Sequence, residues 1–149
     1  LQLAELVEKA AEAKTAEALR GGWMHTGDVG YCDEDGYLFV TDRKHDMIVS
    51  GGENIYPREV EDVLFEHPDI LDAAVIGVPD DERGQLVTAY VVLKSGHVRS
   101  SELCAELQAF VKQTIAPYKY PRTIEFVDSL PRTETGKLQR FRLRELATS

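Results

Sequence analysis

The stretch Ile70-Leu-Asp-Ala-Ala-Val-Ile-Gly-Val-Pro79, the polar link Asp80-Asp-Glu-Arg-Gly84 and the run Leu86-Val-Thr-Ala-Tyr-Val-Val-Leu93 decide the fold. Two apolar, β-branched runs joined by a short charged segment predict a pair of central strands. Upstream, Pro57 sits where a first helical turn tolerates it, and Val60, Val63 and Leu64 recur at helical spacing as far as His67-Pro68. Downstream, Ser101 is the expected cap of a helix that carries Leu103, Leu107, Phe110 and Val111 on one face, with Pro117 just past its end. Thr123-Ile-Glu-Phe-Val127 predicts a third strand. Strands and helices in this order predict an α/β fold of the two-layer α+β kind, a small three-stranded sheet covered on one face by two helices.

Further out, Leu3, Leu6, Val7 and Ala10 predict one amphipathic helix over Leu1 to Leu19, which Gly21-Gly22 stops. Two turn signals, Asp28-Val-Gly30 and Asp33-Glu-Asp-Gly36, precede the β-prone run Tyr37-Leu-Phe-Val-Thr41 and predict a β-hairpin. Ser50-Gly51-Gly52 reads as a loop of small residues, and Leu138 to Leu146 as a short terminal helix. Residues 1–20 form a helical lead-in on this reading, and residues 21–149 the domain proper.

The 149 residues are 43% apolar and 29% charged, a composition that folds around one sizeable core. A net charge of −9 argues against general affinity for nucleic acid or anionic membrane, and no apolar run is long enough to span a bilayer. Cys32 and Cys104 stand far apart with no clustered His, which predicts neither a disulfide framework nor a metal site. No signal-peptide pattern opens the chain, so the expected setting is cytoplasmic. It begins at Leu1 rather than Met, as a trimmed or excerpted chain would. The basic residues Arg132, Lys137, Arg140, Arg142 and Arg144 bunch near the end, either as a local anion site or as a solvated helix face.

Three places can carry chemistry. Thr26-Gly27-Asp28 presents a carboxylate, although an Asp beside Gly is as readily a turn former. Asp42-Arg43-Lys44-His45-Asp46 leads into the small-residue loop Ser50-Gly51-Gly52-Glu53-Asn54, which admits a slender ligand or simply connects strand to helix. Leu130-Pro-Arg-Thr-Glu-Thr-Gly-Lys137 places an ammonium on a polar loop, where it either stabilises developing negative charge or is merely solvated.

Taken together, Trp23-Met-His-Thr-Gly-Asp28, Asp42-Arg43 with Ser50-Gly-Gly-Glu-Asn-Ile-Tyr-Pro-Arg-Glu-Val-Glu61, and Leu130 to Lys137 resemble three ordered signatures of the adenylate-forming enzymes. That family comprises acyl-CoA synthetases, luciferases and peptide-synthetase adenylation domains. The resemblance runs from about Ala16 to Arg144 and implies the C-terminal lid of such an enzyme, closest in look to aryl-acid ligases such as benzoate-CoA ligase, with medium-chain acids close behind. It implies that ATP and a carboxylic acid give an acyl-adenylate, which a thiol then converts to a thioester, with the lid turning between the steps.

By resemblance, Lys137 is the catalytic lysine of adenylation. Asp28 and Arg43 contact the nucleotide ribose region, and Gly51 and Gly52 line the pantetheine tunnel. Tyr118, Tyr120 and Arg122 sit where relatives meet the CoA nucleotide. His45 occupies the pivot, where most relatives carry Asp or Lys. Val49 stands where luciferases carry a second catalytic lysine, which favours thioester chemistry. The implied cofactors are ATP, Mg2+ held mainly by a large N-terminal domain, and coenzyme A. The implied partners are that large domain, in cis or in trans, the carboxylic acid, and a lysine acetyltransferase acting on Lys137. The isolated chain is expected to be inactive. The rival readings are a non-catalytic partner-binding lid and the lid of an enzyme that loads a carrier protein.

Overall fold

The computed structural model describes residues 3–149, and the backbone divides into two compact units, one ending at His45 and one beginning at Asp46. In the first unit, helix α1 (Leu3–Ala18) leaves Val7 exposed. The expected start at Leu1 and the side chains of Leu3 and Leu6 lie outside the described residues. Strand β1 (Asp28–Cys32) pairs antiparallel with β2 (Leu38–Arg43). The turn between them closes on Asp33, whose Oδ1 accepts from the amides of Asp35 and Tyr37.

Asp28-Val-Gly30, read as a turn, is instead the start of β1. The pairing slips between Val29 and Gly30, and a Cβ on Gly30 would lie 2.3 Å from the Phe39 carbonyl oxygen. The glycine marks a bulge with close backbone approach, not a chain reversal.

In the second unit, β3 (Ile48–Ser50) and β4 (Glu53–Ile55) form a minimal antiparallel hairpin, followed by α2 (Pro57–Phe65). Strands β5 (Ile70–Asp80) and β6 (Gly84–Leu93) are antiparallel over their length. Helix α3 (Ser101–Thr114) is the crossover that brings β7 (Thr123–Phe126) parallel to β6, giving the order β5-β6-β7. Helix α4 (Arg140–Ala147) ends the chain. The cap of α3 is Ser100 rather than Ser101. Ser100 is extended and its Oγ accepts from the Leu103 amide at 3.1 Å, the span from N-cap to third helical residue.

The sheet's alternation sorts its side chains. Ala73 and Val75 of β5 and Val87, Ala89 and Val91 of β6 are buried with Val60, Val63 and Leu64 of α2 and Leu103, Leu107 and Val111 of α3. Ala74, Ile76, Tyr90 and Val92 face the other way and are buried with Leu130 and Leu143. The α/β layering read from the sequence is present, and α4 extends it by covering the second face. That second cover explains why the middle of β5 and β6 is apolar on both faces of the sheet.

Candidate active site

The Asp28 carboxylate and Arg43 guanidinium face each other across β1 and β2 as directly paired residues, with Nε 2.8 Å from Oδ1. The Lys44 amide donates to the Gly27 carbonyl at 2.7 Å and closes this end of the hairpin. Asp42, buried in the same strand, accepts from the Arg43 amide at 2.7 Å. The Arg43 side chain stays 64% exposed and that of Asp28 29%, so the pair is still open to solvent. A carboxylate acceptor beside a guanidinium fork suits a vicinal diol or a phosphate. His45 follows directly and is the last residue of its unit.

In the second unit, Gly51 and Gly52 are the two turn residues between β3 and β4, with φ of +59° and +83°. This replaces the open loop expected from sequence by a two-residue hairpin turn, whose paired positive φ values glycine alone adopts without cost. The Gly51 amide donates to the Arg83 carbonyl at 2.9 Å and the Val49 amide to Gln85 Oε1 at 2.8 Å, which tie the hairpin to the β5–β6 turn.

Lys137 follows a second tight turn. The Thr133 amide donates to the Lys137 carbonyl at 2.8 Å, the Lys137 amide to Thr133 Oγ1 at 3.0 Å, and Gly136 adopts φ of +83°. Arg132 anchors the base. Its Nη2 donates to both oxygens of Asp72 at 2.9 and 2.7 Å and its Nη1 to the Gly136 carbonyl at 3.0 Å. The Lys137 side chain is exposed and its ammonium has no ion pair or hydrogen bond among the described residues.

The other basic residues of this stretch are mostly committed. Arg140 Nη2 binds both oxygens of the buried Glu61 at 2.7 and 2.8 Å, and Arg144 binds Asp46 at 2.7 Å. The expectation of a broad anion site narrows to Lys137 and Arg142, because Arg132, Arg140 and Arg144 are each neutralised by an acid from elsewhere in the fold. Nothing local in the sequence signals these partners. The Arg132–Asp72 and Arg140–Glu61 pairs span 60 and 79 residues.

Tyr120 is held between two cations, Lys112 Nζ 3.9 Å and the Arg122 guanidinium 4.6 Å from its ring centroid. Tyr118 is exposed, with Lys119 Nζ 5.7 Å from its ring centroid, and Lys119 pairs with Glu59 at 2.7 Å. Of the expected residues Tyr120 and Arg122 are in contact, and Lys112 joins them from α3, with no local signal in the sequence to mark it. Among the described residues no group of three or more His, Cys, Asp or Glu side chains comes together to hold a metal, and no helix is long and apolar enough to cross a membrane.

The family model of the AMP-binding enzyme C-terminal domain matches residues 59–137, more than half of the chain. The chain belongs to that family. The AMP-binding C-terminal domain is 51% identical over 135 residues to the long-chain-fatty-acid–CoA ligase of Bacillus subtilis strain 168, covering 91% of this chain and 24% of that enzyme. Among solved structures it resembles an ATP-bound RpMatB-BxBclM chimera, with a TM-score of 0.86 and 42% identity over 91% of this chain and 27% of the other. It also resembles the anthranilate CoA ligase AuaEII in complex with anthranoyl-AMP, with a TM-score of 0.79 and 41% identity over 90% and 26%. The chain thus spans about a quarter of the length of the relatives it matches.

Proposed function

We propose that this AMP-binding C-terminal domain is the mobile lid of an acid–CoA ligase, working with a large ATP-binding domain in cis or in trans. The observation that carries the reading is Lys137. It is an exposed ammonium, unpaired among the described residues, at the end of a turn whose base is fixed by the Arg132–Asp72 fork. The turn fixes the backbone that carries the ammonium, and the free side chain supplies the reach to meet the carboxylate and α-phosphate oxygens, where charge builds during adenylation.

Asp28 and Arg43 take the ribose side of the nucleotide, the carboxylate accepting from hydroxyls and the guanidinium donating. The pair's residual exposure supports this role. After adenylation the lid turns about His45, and the unit boundary between His45 and Asp46 supports a pivot there. In the second orientation the side-chain-free surface of Gly51 and Gly52 lines the passage of the thiol, and Tyr118, Tyr120 and Arg122 receive the CoA nucleotide. Tyrosine rings with cations beside them suit an adenine and its phosphates.

Mg2+ is assigned mainly to the large domain. A carboxylic acid is the substrate, fatty or aromatic, in keeping with the names of the relatives. The exposure of Lys137 also suits acetylation, which would remove the charge that adenylation uses.

The test is ATP–pyrophosphate exchange with octanoate and benzoate, run on this chain alone and then with this chain joined to the large domain of the Bacillus subtilis ligase in place of that enzyme's matching segment. Exchange only in the joined protein is expected. Exchange equal to that of the large domain without any lid would overturn the reading.

A further inference from the structure

Gly77 lies mid-strand in β5, opposite Val87, and its φ is not in the left-handed region. Its backbone therefore has no need of glycine. What its missing side chain accommodates is Gln85. The three heavy atoms nearest a Cβ built on Gly77 are Gln85 Cδ and Nε2 at 2.9 Å and Oε1 at 3.0 Å. The amide lies flat over the Gly77 Cα, and from there its Oε1 accepts the Val49 amide at 2.8 Å.

That bond matters because of where β3 stands. A three-residue strand in a two-stranded hairpin is marginal by itself. Val49 is 43% exposed, so burial does not hold it. Val49 of β3 bonds Gln85, and Gly51, the first turn residue, bonds the Arg83 carbonyl. These two bonds flank Ser50 and tie down the chain just where it enters the glycine turn.

We propose that Gln85, seated over Gly77, is a positioning residue for the thioester step, holding the Gly51-Gly52 turn where the thiol passes. The proposal rests on the reading that this turn lines the thiol passage. It makes Gly77 a specificity of packing rather than of backbone, since an added methyl would displace the far end of a flexible side chain and leave the strand intact.

Two measurements test it. The first is amide hydrogen exchange on the 149-residue chain. Gln85→Ala and Gly77→Ala should each speed exchange at Val49 about five- to tenfold, the effect of losing one hydrogen bond of ordinary net strength. Gln85→Glu, which keeps the acceptor, should match the parent, and Gly77→Ala should add nothing to Gln85→Ala. The core amide of Val91 should not change in any variant. An unchanged Val49, or acceleration spread evenly over the sheet, overturns the positioning role.

The second uses the chain joined to the Bacillus subtilis large domain. Gln85→Ala should raise KM for CoA about fivefold and leave pyrophosphate exchange within about twofold, with Gln85→Glu restoring the parent value. Gly52→Val separates the two claims. If it blocks thioester formation while Gln85→Ala leaves KM unmoved, the positioning role alone is wrong. If Gly52→Val leaves thioester formation intact, the passage reading fails, and the proposed role of Gln85 falls with it.

Discussion

Replacing Arg140 by Met removes the cation that faces the most buried acid in the second unit. Glu61 is 7% exposed, its two oxygens accept from Arg140 Nη2 at 2.7 and 2.8 Å, and its Oε1 also accepts the Val75 amide at 2.8 Å. Arg140 Nη1 lies 3.6 Å from Asp46, which Arg144 also binds. Removing one partner of a buried ion pair typically costs about 3–5 kcal/mol. The side chain of Arg140 is 17% exposed, so solvent reaches part of the pair and the expected loss is toward the lower end, about 3 kcal/mol.

Urea unfolding followed through the amide signals of Val75 and Val91 measures it. Glu61→Gln removes the charge while keeping an oxygen for Val75. The double variant Glu61→Gln with Arg140→Met should therefore be more stable than the sum of the two single losses requires, by about 1.5 kcal/mol. A loss below about 1 kcal/mol for Arg140→Met, or strict additivity in the double variant, refutes the claim that this pair fastens α4, and with it the Lys137 turn, to α2 and β5.

Other outcomes follow from the same geometry. Asp28→Asn should cost no more than about 1 kcal/mol of stability, because its pair with Arg43 is solvent-exposed on the arginine side. The same change in the joined enzyme should raise KM for ATP at least tenfold, read by pyrophosphate exchange. Ser100→Ala should destabilise the second unit by about 1 kcal/mol through loss of the α3 cap, measured by urea unfolding, whereas Ser101→Ala should cost less. Burial, with the nearby Glu125 carboxylate adding to it, pushes the Cys104 thiol up. Its reactive thiolate therefore develops at higher pH than an ordinary thiol's, and iodoacetamide followed by mass spectrometry should label the exposed Cys32 first at pH 8.

The central sheet was legible because the runs over 70–93 are β-branched, long, and bounded by charged residues and glycine. The cover on its second face was not. Leu143 is the one fully buried side chain of an eight-residue helix in which three arginines alternate with apolar residues, two of them, Phe141 and Leu146, exposed, so the core face is not marked by the pattern. The β3–β4 hairpin escaped notice because strands of three residues are too short to display alternation. Gly30 misled for a different reason, since a glycine that admits a neighbouring carbonyl looks the same in sequence as one that turns the chain.

Of the candidate site, the residue types were readable and the constraints on them were not. Asp28, Arg43 and Lys137 stand out by motif, whereas their environments depend on partners brought in by folding. Arg132 is locked by Asp72 from β5, Tyr120 is flanked by Lys112 from α3, and three arginines that looked available to an anion are already neutralised. Gln85 and Gly77 illustrate the limit, because their relation lies in side-chain packing across a strand pair that no local pattern encodes.

The most direct test of the lid assignment is the division of labour at Lys137. In the chain joined to the Bacillus subtilis large domain, Lys137→Ala and the parent are compared in two assays, ATP–pyrophosphate exchange and transfer of a preformed acyl-adenylate to CoA. Loss of one charge-stabilising donor at the transition state is worth about 2.7–4 kcal/mol, so exchange should fall about 100- to 1,000-fold while transfer stays within about threefold. Equal loss in both assays would make Lys137 a structural or general binding residue, and undiminished exchange would remove it from the chemistry altogether.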